Sequence, residues 1–325
     1  MSFRARATAS LFTEYEAIGP LWLGCRPLQS HVIRGLSAES SAPIVGRSTF
    51  TSESEKKGTQ ILADALNYDG LIIDLDGVVW RGKEPIAGAA EAIRALQARG
   101  TRVVFLTNEP GRSRPEFVAK LAEMGVPATE ADVLTSAAAT ARFVSSLDDL
   151  GCRRAFVVGP PALHEEIRTA GFELVPSEDA TRACVVVVGG HEGFDYQELL
   201  AATAAIRNGA RLFATGRDAV FPTESGPRPG TGAVLAAIET ASGAVAHVIG
   251  KPERIMFEIA REALGGCNRV AMVGDNLVAD IEGAKRAGLD AILVMSGTTS
   301  RADLERSHVR PDLVLETLAA LPNEF

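Results

Sequence analysis

Two aspartates, Asp74 and Asp76, stand two positions apart directly after the apolar run Leu-Ile-Ile at residues 71–73. In an extended segment, side chains at i and i+2 point the same way, so the two carboxylates can face one site. Carboxylates this close repel each other unless a cation or a shared proton relieves the repulsion. A hard divalent cation with oxygen ligands is the natural partner. Taken alone, the segment is equally compatible with a solvated Asp-x-Asp-Gly turn.

Polar side chains also follow a second apolar run, which ends at Leu106. Thr107 and Asn108 come next, and a hydroxyl and an amide beyond a buried strand are good neutral donors for phosphate oxygens. A segment beginning at Ser113 then opens a helix. On these residues alone, an ordinary N-cap and turn is the simpler interpretation.

Two further apolar runs end in charged residues that could act on a phosphate. Lys251 lies in Ile-Gly-Lys-Pro at residues 249–252, where Pro252 suits the first turn of a helix and leaves the lysine at the strand–helix junction. Asp275 follows the last run, and Asp280 lies in the first turns of the next helix. In isolation, Lys251 would be a surface lysine and Asp280 an acid that complements a helix dipole.

The elements that position these residues alternate β-branched runs with alanine-rich helical segments from residue 68 onward. Helical stretches at 89–99 and 114–124 each carry an apolar stripe at helical spacing. This alternation indicates an α/β fold with a mainly parallel sheet, in which ligands bind beyond the carboxyl ends of the strands. The predicted strands are residues 71–74, 102–106, 155–158, 185–188, 211–214, 245–249, 270–273 and 291–295. The glycines expected to end helices are Gly100, Gly125, Gly171, Gly209 and Gly288.

Composition indicates a globular protein, with 325 residues, 46% of them hydrophobic, and a formal net charge of −8. The length suffices for one large domain or two medium ones, and the acidity indicates no general affinity for nucleic acid. No apolar stretch approaches the roughly 20 residues that span a bilayer, so we expect no membrane association and a cytoplasmic location. The cysteines are far apart and are expected to be reduced thiols; they are Cys25, Cys152, Cys184 and Cys267.

The N-terminal segment differs from the rest of the chain. Residues 30–57 are rich in serine, threonine and small polar residues, and the arginines before them are interrupted by Glu14 and Glu16. The absence of a sustained apolar region disfavours a secretory signal, and the acids disfavour a transit peptide. We predict a disordered extension over residues 1–67.

In order along the chain, Asp-x-Asp-Gly, Thr-Asn, Gly-Lys-Pro and Gly-Asp-Asn with a later aspartate each follow an apolar run. This ordered set resembles the four signature motifs of the haloacid dehalogenase superfamily. The stretch between Thr-Asn and Gly-Lys-Pro is similar to the large α/β cap of the subfamily IIA phosphatases, which include p-nitrophenyl, phosphoglycolate and glycerol phosphate phosphatases. Residues 214–223 and 229–233 are similar to that cap's return to the core.

The resemblance implies a Rossmann-like α/β core with a parallel sheet, formed by residues 68–149 and 246–325, and an inserted α/β cap domain over 150–245. It implies a magnesium-dependent phosphatase that hydrolyses small phosphate monoesters through an aspartyl-phosphate intermediate. A cap that closes over the strand ends would admit small phosphorylated metabolites, with His191 and Arg217 as expected substrate contacts. A homodimer through the cap is a further expectation.

By the same resemblance, Asp74 is the nucleophile, and Asp76 is the general acid that protonates the leaving alcohol and then the base that activates water. Lys251 pairs with Asp74 and with the phosphoryl group, which Thr107 and Asn108 hold. A carboxylate nucleophile divides the hydrolysis into two steps.

The resemblance also implies a ligand set for magnesium. The Asp74 carboxylate, the Asp76 backbone carbonyl and the Asp275 carboxylate bind the metal, and Asp280 supports them. The metal and the lysine together offset charge on the equatorial phosphoryl oxygens.

Two positions depart from the family pattern. Glu109 stands where a second asparagine often follows Thr-Asn, and Gly216 follows Thr215 where the cap often has Thr-Asn. These departures leave the substrate open. Two alternatives to a phosphatase also remain, a phosphotransferase acting at the same site and a catalytically silent sensor of phosphometabolites. Retention of Asp76 disfavours the sensor, because a pure binder needs no acid or base.

Overall fold

The computed structural model describes residues 68–221 and 226–321, which contain two parallel sheets flanked by helices. The predicted N-terminal extension, residues 1–67, lies outside the described residues. In chain order the strands are β1 (Gly70–Asp74), β2 (Trp80–Arg81), β3 (Glu84–Pro85), β4 (Arg102–Thr107), β5 (Val133–Thr135), β6 (Arg154–Val158), β7 (Glu173–Leu174), β8 (Val185–Val188), β9 (Arg211–Ala214), β10 (Val220–Phe221), β11 (Arg228–Pro229), β12 (His247–Val248), β13 (Val270–Gly274), β14 (Asp290–Val294) and β15 (Leu313–Leu315).

The helices of the described residues lie between these strands. The α-helices are α1 (Ala89–Ala98), α2 (Arg114–Glu123), α3 (Ser136–Ser145), α4 (Pro161–Thr169), α5 (Tyr196–Arg207), α6 (Thr231–Ser242), α7 (Arg254–Leu264), α8 (Gly283–Arg286) and α9 (Arg301–Arg306). A π-helical turn spans Leu277–Glu282, and 3-10 turns span Glu130–Asp132, Ser177–Arg182 and Leu318–Ala320. None of the helices in these ranges has both the length and the apolar character needed to cross a membrane.

Six strands form the core sheet in the order β15-β14-β13-β1-β4-β5, and every neighbouring pair is parallel. Side chains alternate between its faces, so Leu71 and Ile73 pack with α1 and α2 while Ile72 packs with α3 and α7. All five residues of β1 are buried, as expected for a strand covered on both faces. Since β1, β4 and β13 are parallel neighbours, the polar residues that follow them meet at one edge of the sheet.

Five further strands form a second sheet in the order β12-β9-β8-β6-β7, again with all pairs parallel. Residues 154–248, which contain this sheet, are called the insert below. Helices α5 and α6 cover the face that carries Val186 and Val188. The opposite face, with Val185 and Val187, belongs to an apolar cluster that continues through α3 to the core sheet. The insert therefore has a sheet of its own but shares apolar packing with the core.

Each of the eight predicted strands is present, with ends that agree within two residues. The strand predicted over residues 245–249 is reduced to β12, which pairs with β9 of the insert. The five glycines expected to end helices all have positive φ, between 73° and 102°, which is the left-handed conformation that favours glycine. Ser113 caps α2 and forms a capping box with Glu116, as the simpler interpretation of that segment predicted.

The prediction that Pro252 lies in the first turn of a helix was wrong. Helix α7 begins at Arg254, because the chain first makes a turn in which the Glu253 N–H donates to the Gly250 carbonyl oxygen at 3.0 Å. The turn places Lys251 before the helix, inside the protein rather than on its surface.

The prediction of reduced cysteines was wrong for two residues. Cys152 and Cys184 precede β6 and β8, which are neighbouring parallel strands, and their Cα atoms lie 5.8 Å apart. This is within the usual range for a disulfide, and the two sulfurs are bonded. Cys267 is a free, half-buried thiol, and Cys25 lies outside the described residues.

Candidate active site

The end of β1 places Asp74 against a buried lysine. Asp74 is 7% exposed and Lys251 is 4% exposed, and Lys251 Nζ donates to Asp74 Oδ1 at 2.7 Å. The same Nζ donates to Oδ1 of the fully buried Asp280, also at 2.7 Å. Burial by itself would lower the pKa of Lys251, but the carboxylates of Asp280 and Asp74 raise it above its ordinary value. Lys251 is therefore a fixed cation between two acids.

The π-helical turn after β13 brings Asp280 back toward the strand end. Asn276 caps this turn, and its Oδ1 accepts the N–H groups of Val278 at 3.0 Å and Ala279 at 2.9 Å. Asp280 Oδ2 accepts the backbone N–H groups of Asp275 at 3.2 Å and Asn276 at 3.0 Å. Both oxygens of Asp280 are thereby fixed, one by the backbone and one by the lysine. Single π-helical turns are frequent at functional sites.

Asp275, the residue after β13, lies in the same site. It is 3% exposed, and its Oδ2 accepts the Thr298 N–H at 2.5 Å. Two glycines leave room for this carboxylate, because a Cβ would lie 2.5 Å from Oδ2 if placed on Gly77 and 1.9 Å from it if placed on Gly297. Gly77 also has a φ of +82°, which other residues rarely adopt.

Three buried carboxylates converge at this edge of the sheet. One oxygen each from Asp74, Asp275 and Asp280 lie within 4.8 Å of one another. Three ionised carboxylates carry three negative charges and Lys251 supplies one positive charge, so two charges are left uncompensated. The pKa of Asp74 is raised by burial, lowered by Lys251 and raised again by Asp280 and Asp275, with a net rise. Burial and Asp280 likewise raise the pKa of Asp275. A buried, oxygen-rich and negatively charged site fits a hard divalent cation such as Mg²⁺.

Asp76 has surroundings that differ from those of Asp74. Its side chain is exposed, and its Oδ1 accepts the indole N–H of Trp80 at 2.8 Å. The Asp76 carboxylate is not among the three clustered carboxylates, and its predicted metal contact is made by the backbone carbonyl. One aspartate of the motif is thus buried beside a cation, while the other is open to solvent.

Thr107 and Asn108 follow β4 next to this cluster. Thr107 is buried, and its Oγ1 accepts the Glu109 N–H at 3.1 Å, which leaves the hydroxyl proton available for donation. Asn108 pairs with the backbone of Lys251 in both directions, since Nδ2 donates to the Lys251 carbonyl at 2.9 Å and Oδ1 accepts the Lys251 N–H at 2.8 Å. The Asn108 side chain thereby fixes the Lys251 loop to the end of β4.

Comparison with known proteins identifies the family. A model of haloacid dehalogenase-like hydrolases matches residues 71–173, and a second, HAD-hydrolase-like model matches residues 248–321. The chain is 34% identical to the 5'-nucleotidase YutF of Bacillus subtilis, over 77% of this chain and 96% of that protein. The structure of p-nitrophenyl phosphatase from Archaeoglobus fulgidus is similar, with a TM-score of 0.73 and 32% identity over 79% of this chain and 99% of that one. So is glycerol phosphate phosphatase from Mycobacterium tuberculosis in complex with magnesium, with a TM-score of 0.72 and 37% identity over 79% of this chain and 77% of that one. The chain belongs to the haloacid dehalogenase superfamily.

Within the haloacid dehalogenase superfamily, the chain is a phosphoric monoester hydrolase of subfamily IIA. The core sheet belongs to the Rossmann-like core of that fold, and the second sheet belongs to its α/β cap domain. The cap meets the core beside the cluster of three carboxylates, where Asn108 Nδ2 donates to Asp218 Oδ2 at 3.3 Å. A Cβ on Gly250 would lie 2.1 Å from the Thr215 carbonyl oxygen and 2.9 Å from Asn108 Oδ1. Position 250 therefore has no room for a side chain, because Thr215 of the cap and the side chain of Asn108 pack directly against the backbone of Gly250.

Both predicted cap residues have partners within the cap. His191 Nε2 lies 2.9 Å from Glu198 Oε2. The guanidinium of Arg217 donates to both carboxylate oxygens of Glu239, each at 2.8 Å, and these hydrogen bonds raise the pKa of Arg217. That His191 and Arg217 contact the substrate stays a prediction. To make such a contact, each side chain would have to bind the ligand in addition to its present partner or in place of it.

Glu109, one of the two departures from the family pattern, directly follows Asn108 in the chain. Burial raises the pKa of its carboxyl, Arg112 lowers it and the charge of Asp76 raises it, with a net rise. Burial thus disfavours the charged form of Glu109 relative to a glutamate in water.

Three residues at the site were not predicted. Trp80 stands four residues after Asp76 in the same motif, so its spacing was a usable signal. Asp218 lies in the cap-return segment, but nothing in the sequence placed it beside Asn108. Thr298 acts through a backbone N–H, and a backbone donor leaves no signal in residue type.

Proposed function

We propose that this chain is a magnesium-dependent phosphatase that hydrolyses small phosphate monoesters through a phosphorylated Asp74. The observation that carries the proposal is the buried cluster in which Lys251 bridges Asp74 and Asp280 at 2.7 Å each, with Asp275 alongside. A carboxylate held beside a fixed cation at the carboxyl edge of a parallel sheet is placed to attack an anionic phosphorus centre.

Each residue has a definite task in the proposed reaction. An Asp74 oxygen attacks phosphorus while the bond between phosphorus and the leaving oxygen breaks, and Asp76 gives its proton to the departing alcohol. Asp76, now a carboxylate, then takes a proton from the water that attacks the phosphorylated Asp74, which releases inorganic phosphate and restores the nucleophile. The Thr107 hydroxyl and the Lys251 ammonium stabilise the negative phosphoryl oxygens in both steps.

The donor set fits magnesium because its oxygens carry two uncompensated negative charges in a buried site. The Asp74 carboxylate, the Asp76 backbone carbonyl and the Asp275 carboxylate would hold the ion, and Asp280 would support them. When bound, the ion supplies positive charge that offsets the charge on the transferring phosphoryl group. The magnesium in the glycerol phosphate phosphatase structure supports this assignment.

The proposed substrate is a small phosphorylated metabolite. The names of similar proteins describe action on nucleotides, sugar phosphates and glycerol phosphate, all of which are small monoesters. A cap that meets the core beside the three clustered carboxylates would exclude a folded phosphoprotein or a nucleic acid.

His191 and Arg217 are the proposed specificity contacts. Their replacement is expected to change the ratio of kcat/KM between the best metabolite and p-nitrophenyl phosphate.

The test is hydrolysis of p-nitrophenyl phosphate by the purified chain, with magnesium and with excess EDTA. We expect activity only with the metal, no turnover by Asp74→Asn, and a loss of about 10²–10⁴-fold for Asp76→Asn. Asp179→Asn, an exposed acid of the cap paired with Arg182, is the control. Equal activity in EDTA would show that hydrolysis does not depend on the metal. Normal turnover by Asp74→Asn would show that the reaction does not pass through a phosphorylated Asp74. Release of phosphate and alcohol in equal amounts distinguishes a hydrolase from a phosphotransferase.

Three organisational proposals accompany this function. The domain boundaries are proposed at residues 68–149 and 246–325 for the core and 150–245 for the cap, and the location is proposed to be cytoplasmic.

A homodimer through the cap is supported by Tyr196 and Leu200, which lie one turn apart on α5 and are 74% and 53% exposed. Light scattering of the wild type and of Leu200→Glu tests the dimer, and a monomeric wild type would exclude it.

A further inference from the structure

Trp80 lies next to the turn that carries Asp76. Its side chain is fully buried, and its Nε1 donates to Asp76 Oδ1 at 2.8 Å. Within residues 68–221 and 226–321, this indole is the only side chain that hydrogen-bonds the Asp76 carboxylate. Asp76 is itself exposed, so without this bond its side chain would be free to change rotamer.

The indole is held from several directions. The ring of Phe117 is stacked on it with the centroids 6.4 Å apart and an angle of 12° between the planes. Lys120 Nζ lies 3.7 Å from the centroid of the indole and also donates to the Gly82 carbonyl at 2.8 Å. The Gly77 N–H donates to the Trp80 carbonyl at 2.7 Å, which joins the indole's own backbone to the turn after Asp76. The donor therefore has little freedom, while the Asp76 carboxylate accepts no other side-chain hydrogen bond from the described part of the chain.

We propose that Trp80 is a positioning residue for the acid/base function of Asp76, an inference that rests on the proposed function. An indole N–H can only donate, so Oδ1 accepts it and the acid proton of Asp76 is carried by Oδ2. In the first step Oδ2 gives that proton to the alcohol oxygen as its bond to phosphorus breaks. In the second step the same oxygen takes a proton from the attacking water. The cation above the indole face draws electron density from the ring and strengthens the N–H as a donor.

The test compares kcat/KM of Trp80→Phe on two esters, because kcat/KM reports the steps up to release of the alcohol. p-Nitrophenolate leaves readily without a proton, whereas the alkoxide of glycerol 3-phosphate does not. We expect Trp80→Phe to lower kcat/KM by about tenfold or more on glycerol 3-phosphate and by clearly less on p-nitrophenyl phosphate. KM should stay near its wild-type value, since the N–H does not contact the substrate.

Phe117→Leu is the matched control, because it disturbs the same packing but keeps the indole N–H. We expect it to change kcat/KM on both esters by the same factor. In an Asp76→Asn background, Trp80→Phe should have little further effect, since the group that it positions can no longer act. An equal loss on both esters, or an undiminished loss in the Asp76→Asn background, would mean that Trp80 only packs and would overturn the inference.

A second measurement covers the case in which Trp80→Phe does not fold. The chain has two tryptophans, and Trp22→Phe assigns the remaining indole ¹H–¹⁵N signal to Trp80. Asp76→Asn should shift this signal, and Asp179→Asn should not. An unmoved Trp80 signal in Asp76→Asn would exclude the contact.

Failure of the inference can be told apart from failure of the proposed function. If the wild type hydrolyses neither ester, or if Asp76→Asn is fully active, the proposed function fails and this inference falls with it. If the wild type is active and Asp76→Asn is impaired, but Trp80→Phe shows no preference between the esters, only the role of Trp80 is wrong.

Discussion

At the residue scale, the charge balance of the site depends on Lys251. Its ammonium lies between Asp74 and Asp280, and all three side chains are at least nine-tenths buried. Removing one member of a buried ionic group leaves the remaining charges without compensation in a poorly solvated site. An exposed ion pair has no such cost, because water replaces the lost partner.

We therefore expect Lys251→Met to abolish hydrolysis and to lower the free energy of unfolding by about 3–5 kcal/mol in EDTA. The control is Lys285→Met, which removes the exposed lysine paired with Asp312 and is expected to cost about 1 kcal/mol or less. Urea unfolding of both variants and of the wild type provides the comparison. Similar losses for the two variants would contradict a special role of the buried lysine in stability.

At the element scale, the three clustered carboxylates lie among loops that pack so closely that glycine is required between them. Gly297 belongs to the loop after β14, and a Cβ there would lie 1.9 Å from Asp275 Oδ2. A contact this short cannot be accommodated unless the carboxylate or the loop moves. The position of Asp275 is thus determined by a neighbouring strand's loop as well as by its own strand.

From this geometry we expect Gly297→Ala to displace Asp275 and to weaken magnesium binding by about 10- to 100-fold. Isothermal titration calorimetry measures the affinity directly. The matched control is Gly111→Ala, where the nearest atom to the added Cβ is 3.9 Å away, and magnesium affinity is expected to stay unchanged. Wild-type affinity in Gly297→Ala would show that the loop after β14 yields without affecting Asp275.

At the scale of the whole molecule, the acidic cluster links folding to pH and to the metal. The raised pKa values of Asp74 and Asp275 mean that the folded, metal-free protein binds protons that the unfolded chain releases. This contribution to stability is fully present below the ordinary aspartate pKa of about 3.9. It is lost as the pH rises through the raised values of the folded state.

Magnesium should reverse this loss, because it binds the ionised carboxylates. We expect the rise in Tm on adding magnesium to be larger at about pH 8 than at about pH 5. Asp275→Asn should show little rise at either pH. A rise of the same size at both pH values would mean that the metal does not compete with protons at this cluster.

The N-terminal extension provides another test of the whole molecule. All residues assigned to the site lie between positions 74 and 298, and residues 1–60 contain none of the four motifs. Deletion of residues 1–60 is therefore expected to leave kcat/KM and Tm nearly unchanged. A large loss of either would mean that the deleted segment contributes to the folded enzyme.

Local sequence was sufficient to predict the elements and the ordered motifs. Alternation of β-branched and alanine-rich segments predicted eight strands, because side-chain periodicity reports burial within one element. The two-residue spacing of Asp74 and Asp76 predicted a shared location at the end of β1, since it depends only on strand geometry. Short strands such as β5 and β15 were missed, because three residues carry too little periodicity to be recognised.

Contacts between distant parts of the chain were decided by the tertiary structure alone. Asn108 pairs with the backbone of Lys251, 143 residues away, and Cys152 bonds to Cys184 because parallel strands bring their N-terminal ends together. The burial of each side chain was also decided by the tertiary structure. Strand periodicity gives Asp74 and Asp76 the same environment, yet in the folded protein Asp74 is buried beside Lys251, whereas Asp76 is exposed and accepts a hydrogen bond from Trp80. Sequence could specify which groups are present, whereas their burial, partners and charge state depend on how the loops of several strands pack against one another.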